Sequence, residues 1–262
     1  MIQYVAVAAG LCFLLFFFFN FRKKTSVSTK SAMVIVEPRK HKHMRHVVEN
    51  FDAHMPPEYD LYVFHGKSAE DFVRDATSGV RRRQVHLRRL ETDNMTADEY
   101  NALLKDPAAF WGRIDAENIL IFQTDAVLCG QSKRSIRDFE HLAYIGCAYD
   151  ARAGPGTHWG KDAFWGVGGL SFRKKSAALA CLNAGPNAGS TTKAEDVFFS
   201  NCVEAGHGLK PEDGLQLSSF CSQNNFLAHS FGAHRIHDMM AKDQLADFVE
   251  YCPEARPFLD DP

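Results

Sequence analysis

Residues 117–125 read ENILIFQTD, an apolar run that ends in polar and acidic residues. Four apolar residues, 119–122, run directly into the polar residues Gln123, Thr124 and Asp125. Such a run predicts a buried strand, and in open α/β sheets ligands bind beyond the carboxyl ends of the strands. Asp125 is therefore predicted to face a ligand, where its carboxylate would hold a divalent cation that bridges to phosphate oxygens. On this stretch alone, an Asp that only caps the following turn is an equal alternative.

The segments before this stretch have the patterns of regular strands and helices. Residues 33–36 form a short β-branched run, and apolar residues then recur at the helical spacing 44, 47, 48 and 51. A second strand is predicted at residues 61–64, and residues 96–99, TADE, fit a helix-starting capping box. The chain therefore begins with a strand, a helix and another strand.

The amino-terminal segment is strongly apolar. Residues 2–21 contain no charged side chain and are long enough to cross a bilayer as a helix. We expect a transmembrane signal-anchor over residues 1–21 and a polar stem over residues 22–31, with a cleaved signal peptide as the competing interpretation. The basic residues at 22–24 directly follow the span, and the positive-inside rule would keep that side in the cytoplasm. The orientation stays open at this point.

The overall composition excludes several classes of protein. The 262 residues carry 30 Lys and Arg against 32 Asp and Glu, and a dedicated nucleic-acid binder usually has an excess of basic residues. The basic cluster at residues 81–89 is expected to be a solvated face, with a phosphate-facing patch as the alternative. Six cysteines lie beyond the apolar segment, widely spaced and without a CxxC pair, which argues against a zinc site. The six could form three bridges in a lumen or remain buried thiols in a cytosol, and we expect them to be mostly unpaired.

Two later segments carry candidate binding and catalytic residues. Gly168 and Gly169 lie close to Trp165, and glycines let a backbone approach a ligand while an indole can stack on a sugar ring. A bulge before a strand is the alternative explanation of the glycines. Glu195 and Asp196 are adjacent acids at a predicted helix start, where one could hold an acceptor hydroxyl and the other remove its proton. Acids also favour helix starts for dipole reasons alone.

Taken in order, four sequence blocks resemble a glycosyltransferase-like family that is known mainly as a domain of unknown function and occurs in fungi, algae and large viruses. The resemblance runs from about residue 34 to residue 237. It implies a GT-A-like, Rossmann-like fold, with a mainly parallel central sheet flanked by helices, in one catalytic domain over residues 32–250 followed by a C-terminal tail over residues 251–262. The blocks are VEPR at 36–39, YNALL at 100–104 with FW at 110–111, LIFQTD at 120–125, and GGLSFR at 168–173 leading to EDVFF at 195–199.

The same resemblance implies roles for individual residues. GT-A enzymes generally carry an Asp-x-Asp motif whose last Asp binds a metal, and here only that last acid, Asp125, is retained. A His near the end of the domain often completes the metal site, and His234 is the preferred candidate over His237. Thr124 and Arg39 are expected at the nucleotide and phosphates, although an ion pair with Glu37 would equally explain Arg39. Asp196 is the first choice for the base and Glu195 the second, and Trp165, Gly168 and Gly169 would contact substrate.

The activity implied by the resemblance is transfer of a sugar, in the manner of a hexosyltransferase, from a nucleotide-diphosphate sugar to a hydroxyl group. The acceptor would be a glycan, glycoprotein or glycolipid, the anomeric centre would invert, and Mn²⁺ or Mg²⁺ would assist. The apolar amino terminus fits a single-pass protein of the Golgi or ER membrane. A catalytic domain that faces the cytoplasm is the alternative orientation. A carbohydrate-binding pseudoenzyme is the main alternative, motivated by the missing first Asp, and a metal-dependent hydrolase is the weaker one.

Overall fold

The computed structural model describes residues 30–150, 163–185, 192–212 and 214–260. The predicted signal-anchor and nearly all of the predicted stem lie outside these residues. Within the described ranges, no helix combines the length and the apolar character needed to cross a bilayer.

Nine strands and nine α-helices make up the described part of the chain, which confirms a mixed α/β fold. The strands are β1 (Ser31–Glu37), β2 (Tyr59–His65), β3 (Val85–Arg89), β4 (Asn118–Phe122), β5 (Ala126–Leu128), β6 (Tyr144–Asp150), β7 (Ala163–Lys174), β8 (Cys221–Ser222) and β9 (Gly232–His234). The helices are α1 (Met44–His54), α2 (Glu70–Ala76), α3 (Ala97–Leu104), α4 (Lys175–Ala184), α5 (Glu195–Glu204), α6 (Gly214–Phe220), α7 (Ile236–Met239), α8 (Leu245–Tyr251) and α9 (Arg256–Asp260). The capping box predicted at residues 96–99 begins α3.

Six strands form the central sheet in the order β3-β2-β1-β4-β7-β6. The first four strands of this order are parallel, whereas β7 runs antiparallel to both β4 and β6. The chain moves outward from β1 to β2 and β3, and then returns to add β4 on the other side of β1. The strand order therefore reverses between β1 and β4, and such a switch point opens a crevice at the carboxyl ends of the two strands.

Both faces of the sheet are covered by apolar layers. Met33 and Ile35 of β1 point into the core beneath α1, whereas Val34 points into the opposite core beneath α4 and α5. This alternation follows from the two-residue period of a strand. In the first core, the ring of Phe51 on α1 stacks on that of Phe122 on β4, with centroids 3.9 Å apart. The near-continuous apolar runs of the sequence are those of strands buried on both faces.

The expectation that the six cysteines are mostly unpaired is wrong. Three disulfides connect Cys129 to Cys252, Cys147 to Cys221, and Cys181 to Cys202. The paired residues are 123, 74 and 21 positions apart, so no short spacing motif signals them. The fold alone brings the partners together.

Two further segments have structural roles that their sequence did not indicate. The side chain of Arg83, in the basic cluster at 81–89, is fully buried, pairs with Asp52 and donates to the carbonyl oxygens of Pro56 and Tyr59. That member of the cluster therefore belongs to the interior and not to a solvated face. Residues of the segment predicted as a C-terminal tail form α9, whose Phe258 is buried in a third apolar cluster.

Candidate active site

A cavity of about 670 Å³ lies at the carboxyl ends of β1 and β4, where the strand order reverses. Its size is in the range of small-molecule sites, and its position is the one where open α/β sheets bind ligands. Most of the residues that line it have polar side chains, and they come from strand ends, helix starts and the loops that join them. The segments that line it are 36–39, 41–43, 95–97, 100–101, 123–125, 167–169, 194–196, 234–235, His237 and Phe258.

The small sheet β5-β9-β8 places Asp125 beside His234. Only three residues separate β4 from β5, and β5 pairs antiparallel with β9 so that Ala126 lies opposite His234. The backbone N–H of Arg235 donates to the carbonyl oxygen of Asp125 at 3.1 Å, which extends this pairing by one position. As a result, Oδ1 of Asp125 lies 3.4 Å from Nε2 of His234.

The carboxylate of Asp125 remains charged although it is mostly buried. Burial opposes its charged form, but His234, the residue's own backbone amide and Arg235 outweigh this effect and hold the pKa below its usual range. Oδ1 is buried, and no group in the described part of the chain forms a hydrogen bond to it. A buried, charged oxygen without a hydrogen bond is costly unless a cation or a donor from a ligand occupies the adjoining space.

The imidazole of His234 is held between two glutamines. Its Nδ1 lies 3.2 Å from Oε1 of Gln223, which follows β8, and its Nε2 lies 3.3 Å from Oε1 of Gln123, which follows β4. The residue is only 3% exposed. Its ring is therefore fixed in orientation, with Nε2 directed at the Gln123 and Asp125 oxygens.

Gly168 and Gly169 are needed because side chains of the site pack directly against their backbone. A Cβ atom on Gly169 would overlap the imidazole of His234, and one on Gly168 would overlap the carboxylate of Glu195. The backbone carbonyl of Gly169 also accepts a hydrogen bond from the N–H of Gln123 at 2.9 Å. The glycine pair thus sits between the Asp125 side of the cavity and the Asp196 side, and lets both approach the sheet closely.

Asp196 lies at the start of α5 with its carboxylate at the cavity. Its Oδ1 accepts a hydrogen bond from the N–H of Val197 at 2.8 Å, and its Oδ2 accepts one from the N–H of Gly168 at 3.3 Å. Burial, together with the negative charge of Glu195, raises the pKa of Asp196 to about 6. A carboxylate with a pKa in this range is matched to proton abstraction near neutral pH.

The neighbouring acid, Glu195, has a different environment. Its carboxylate forms a two-pronged ion pair with Arg173 of β7, and the two side chains are 3% and 1% exposed. Its backbone N–H donates to Oδ1 of Asn101 on α3 at 3.0 Å, so that Asn101 caps α5. Both Glu195 oxygens are therefore engaged by the Arg173 guanidinium, whereas the Asp196 oxygens accept from backbone N–H groups.

Arg39 is both paired with Glu37 and present at the cavity. Its Nε and Nη2 donate to the two oxygens of Glu37 at 2.8 Å each, which is the ion pair that the sequence left open. Its side chain is nevertheless 58% exposed and lines the cavity, together with His41 and Lys42 of the same loop. Burial lowers the pKa of His41. This loop gives the cavity a basic rim beside the Asp125 side.

The predicted metal ligands fit a divalent cation only in part. Among the described residues, no group of three or more His, Cys, Asp and Glu side chains could hold a metal ion. Asp125 and His234 do converge, and the buried Asp125 oxygen that lacks a hydrogen bond faces the ring nitrogen. These two groups fit a hard or borderline cation whose other ligands come from elsewhere, such as phosphate oxygens of a substrate.

The structure brings most of the predicted site residues to one cavity. Thr124 is 8% exposed and belongs to the wall, whereas the side chain of Trp165 lies outside the described residues. Sequence reasoning missed the contributions of other residues, which carry no motif of their own. These residues are Tyr100, Asn101 at the start of α5, Gln123 and Gln223 at His234, and Arg173 at Glu195. Burial and the charge of Glu195 raise the pKa of the Tyr100 hydroxyl.

Comparisons with known proteins give a family match and distant structural likenesses. The family model described as "Protein of unknown function (DUF5672)" matches residues 84–234. No curated protein sequence matches the chain. Among solved structures, 4-diphosphocytidyl-2C-methyl-D-erythritol synthase of Anaerococcus prevotii aligns with a TM-score of 0.43 at 11% identity, covering 72% of this chain and 93% of that one. TarS 1–349 of S. aureus aligns with a TM-score of 0.42 at 13% identity, covering 66% and 55%. Likenesses this weak leave the chemistry to be argued from the chain's own residues.

Proposed function

We propose that this chain, which belongs to the DUF5672 family of proteins of unknown function, is a glycosyltransferase. It would transfer a sugar from a nucleotide-diphosphate donor to a hydroxyl group of a glycan, glycoprotein or glycolipid. The observation that carries the proposal is the arrangement of two different acids around one cavity at the switch point of the sheet. Asp125 is charged and paired with an imidazole, while Asp196 has a pKa of about 6.

The Asp125 side of the cavity is proposed to hold the diphosphate. A divalent cation bound by Asp125 and His234 would neutralise the negative charge that develops on the leaving group. The guanidinium of Arg39, at the cavity rim, would contact the phosphates or the nucleotide, and the buried Thr124 would contact the nucleotide from the cavity wall. These residues bind and orient the donor, and they favour departure of the nucleoside diphosphate.

The Asp196 side of the cavity is proposed to activate the acceptor. Its carboxylate would remove the proton of the acceptor hydroxyl as the oxygen attacks the anomeric carbon. The bond from that carbon to the diphosphate oxygen breaks on the opposite face, so the configuration inverts. The N–H groups of Val197 and Gly168 fix the orientation of the carboxylate. Gly168 and Gly169 form the backbone surface between the two sides, where the transferred sugar would lie. Trp165, close to the glycines in sequence, is proposed to stack on that sugar.

The transfer reaction is tested with full-length protein in detergent and a panel of UDP- and GDP-sugars, with and without Mn²⁺, by following nucleoside diphosphate release. We expect Mn²⁺-stimulated release from one donor, loss of release in Asp125→Asn, and loss in Asp196→Asn with donor binding retained. Release of free sugar at the same rate without any acceptor would favour a hydrolase. Donor binding without turnover under all conditions would favour the pseudoenzyme.

We further propose that the catalytic domain faces the lumen of the Golgi or ER. Three disulfides within one domain are typical of an oxidising compartment and are rare in the cytosol. The sequon Asn94-Met-Thr96 supplies a test, because Asn94 is exposed and acceptor sequons are modified only on the lumenal side. In cells, we expect a mobility shift on deglycosylation that Asn94→Gln abolishes. Unmodified Asn94, together with free thiols on alkylation, would place the domain in the cytoplasm.

A further inference from the structure

We infer that Gln123 and Gln223 complete the divalent-cation site of this protein, Gln123 as a direct oxygen ligand and Gln223 as the group that orients His234. The inference rests on the proposed function in one respect, since the remaining ligands of the cation would be donor phosphates. Gln123 stands where GT-A enzymes have the first Asp of the Asp-x-Asp motif. In this inference its amide oxygen takes part in metal binding.

The hydrogen-bonding capacity of the imidazole leads to this assignment. A neutral imidazole carries one N–H, and both of its nitrogens here face oxygen atoms of neighbouring side chains. If Nδ1–H donates to Oε1 of Gln223, at 3.2 Å, then Nε2 presents a lone pair. That lone pair faces Oε1 of Gln123 at 3.3 Å and Oδ1 of Asp125 at 3.4 Å. Three electron-pair donors that converge in this way repel one another unless a positive charge lies among them, either a second proton on the imidazole or a metal cation; the Mn²⁺ titration below distinguishes the two.

The distances suit ligands of a common ion. For bonds of about 2.1 Å at right angles, two ligand atoms lie about 3.0 Å apart, and for bonds of about 2.4 Å they lie about 3.4 Å apart. The separations of Gln123 and Asp125 oxygens from His234 Nε2 fall near this interval. Side-chain amide oxygens are accepted ligands of hard cations, and an imidazole nitrogen beside them favours a borderline ion such as Mn²⁺.

The neutral charge of Gln123 has a consequence for affinity. With Asp125 as the sole carboxylate, the protein supplies one negative charge to the cation, so the bound ion keeps more of its positive charge for phosphates. The protein alone is therefore expected to bind Mn²⁺ weakly, and a nucleoside diphosphate is expected to tighten that binding. The outer partner Gln223 matters because a metal-bound His usually donates its other N–H to an acceptor that fixes the ring.

The test is a titration of full-length protein in detergent with Mn²⁺, followed by electron paramagnetic resonance of free Mn²⁺ and by calorimetry, without any donor sugar. We expect Gln123→Ala to weaken Mn²⁺ binding at least 10-fold and Gln123→Asp to tighten it. Gln223→Leu should weaken binding about 10-fold, whereas Gln223→Glu should preserve it by accepting from Nδ1–H. The exposed Gln131→Ala is the matched control and should bind Mn²⁺ as the wild type does. Melting temperatures check that each variant is folded.

The outcomes separate this site from the proposed activity. Equal Mn²⁺ affinity in folded Gln123→Ala and wild type would overturn the inference, and so would absence of saturable Mn²⁺ binding in the wild type. Saturable Mn²⁺ binding that requires Gln123, without turnover of any donor in the panel, would uphold the site and count against the transferase. Donor turnover that is insensitive to chelators would uphold the transferase and count against the site.

Discussion

Replacement of Asp196 by Asn is expected to abolish activity and at the same time to stabilise the protein at neutral pH. The pKa of about 6 is raised from an ordinary value of 3.8 because the charged carboxylate is buried beside Glu195. The folded state therefore binds a proton more tightly than the unfolded state does. As pH rises from about 4 to about 6, this group costs stability, and above pH 6 the cost is complete. Asn has no charge and keeps an oxygen that can accept from Val197, but it loses the weaker hydrogen bond from Gly168, whose N–H would face the Asn amide.

The size of both effects follows from that pKa. A shift of about two pKa units corresponds to at most about 3 kcal/mol, and discounting it for partial exposure and for the lost hydrogen bond from Gly168 leaves a gain on the order of 1 kcal/mol in Asp196→Asn at pH 8. The gain should vanish below about pH 4. For the wild type, a base with a pKa near 6 is about nine-tenths ionised at pH 7 and about one-tenth at pH 5, so kcat/KM should fall about 10-fold between these values.

Two assays on the same preparations check these expectations. Nucleoside diphosphate release across pH 5–8 gives the activity profile, and urea unfolding at pH 4 and pH 8 gives the stability difference between wild type and Asp196→Asn. We expect at least a 100-fold loss of kcat in the variant. A flat activity profile between pH 5 and pH 7, or a variant that is active or destabilised at pH 8, would refute the assignment of Asp196 as a buried base.

Three further predictions concern the surroundings of the site. Gly169→Ala forces a methyl group against the imidazole of His234, so we expect about 1–3 kcal/mol of destabilisation in urea unfolding and weaker Mn²⁺ binding; an unchanged Mn²⁺ titration would contradict this. Arg173→Met leaves Glu195 buried without its partner and should cost about 3–5 kcal/mol, and adding Glu195→Leu should recover much of it; no recovery in the double variant would count against the pair. Reduction of the three disulfides should lower the melting temperature, with about 2–4 kcal/mol expected per bridge, and an equal melting temperature with and without dithiothreitol would show that the bridges do not stabilise the domain.

The sequence predicts the parts of the fold that depend on local patterns. The predicted strand at 61–64 lies within Tyr59–His65, the helix with apolar residues at 44–51 is Met44–His54, and the capping box at Thr96 is confirmed. Asp125 could also be placed at the end of a buried strand, because a run of four apolar residues followed by polar ones is typical of a buried strand. These features depend on the two-residue period of strands, the 3.6-residue period of helices and helix caps. Each of these patterns is formed by residues a few positions apart in the sequence.

Features that depend on distant pairs could not be predicted in this way. Gln223 contacts His234 only because a two-residue strand, β8, pairs with β9, and a strand this short has no recognisable period. The glycines at 168–169 predict close approach of a ligand or a bulge, and the structure adds a packing reason, since His234 and Glu195 lie against their backbone. The family resemblance supplies the candidate roles of His234 and Asp196, which residue patterns alone do not distinguish from structural roles.

The disulfides impose an order on the biogenesis of the domain. Cys129 and Cys147 leave the ribosome long before their partners at 252 and 221, whereas Cys181 and Cys202 emerge close together. During synthesis, the two early thiols are exposed to each other before their correct partners exist. The two bridges beside the small sheet that carries His234 therefore close only after Cys221 and Cys252 have been synthesised. Production of this domain therefore calls for a host compartment with disulfide isomerase activity, and chains truncated before residue 252 are expected to accumulate with mispaired cysteines.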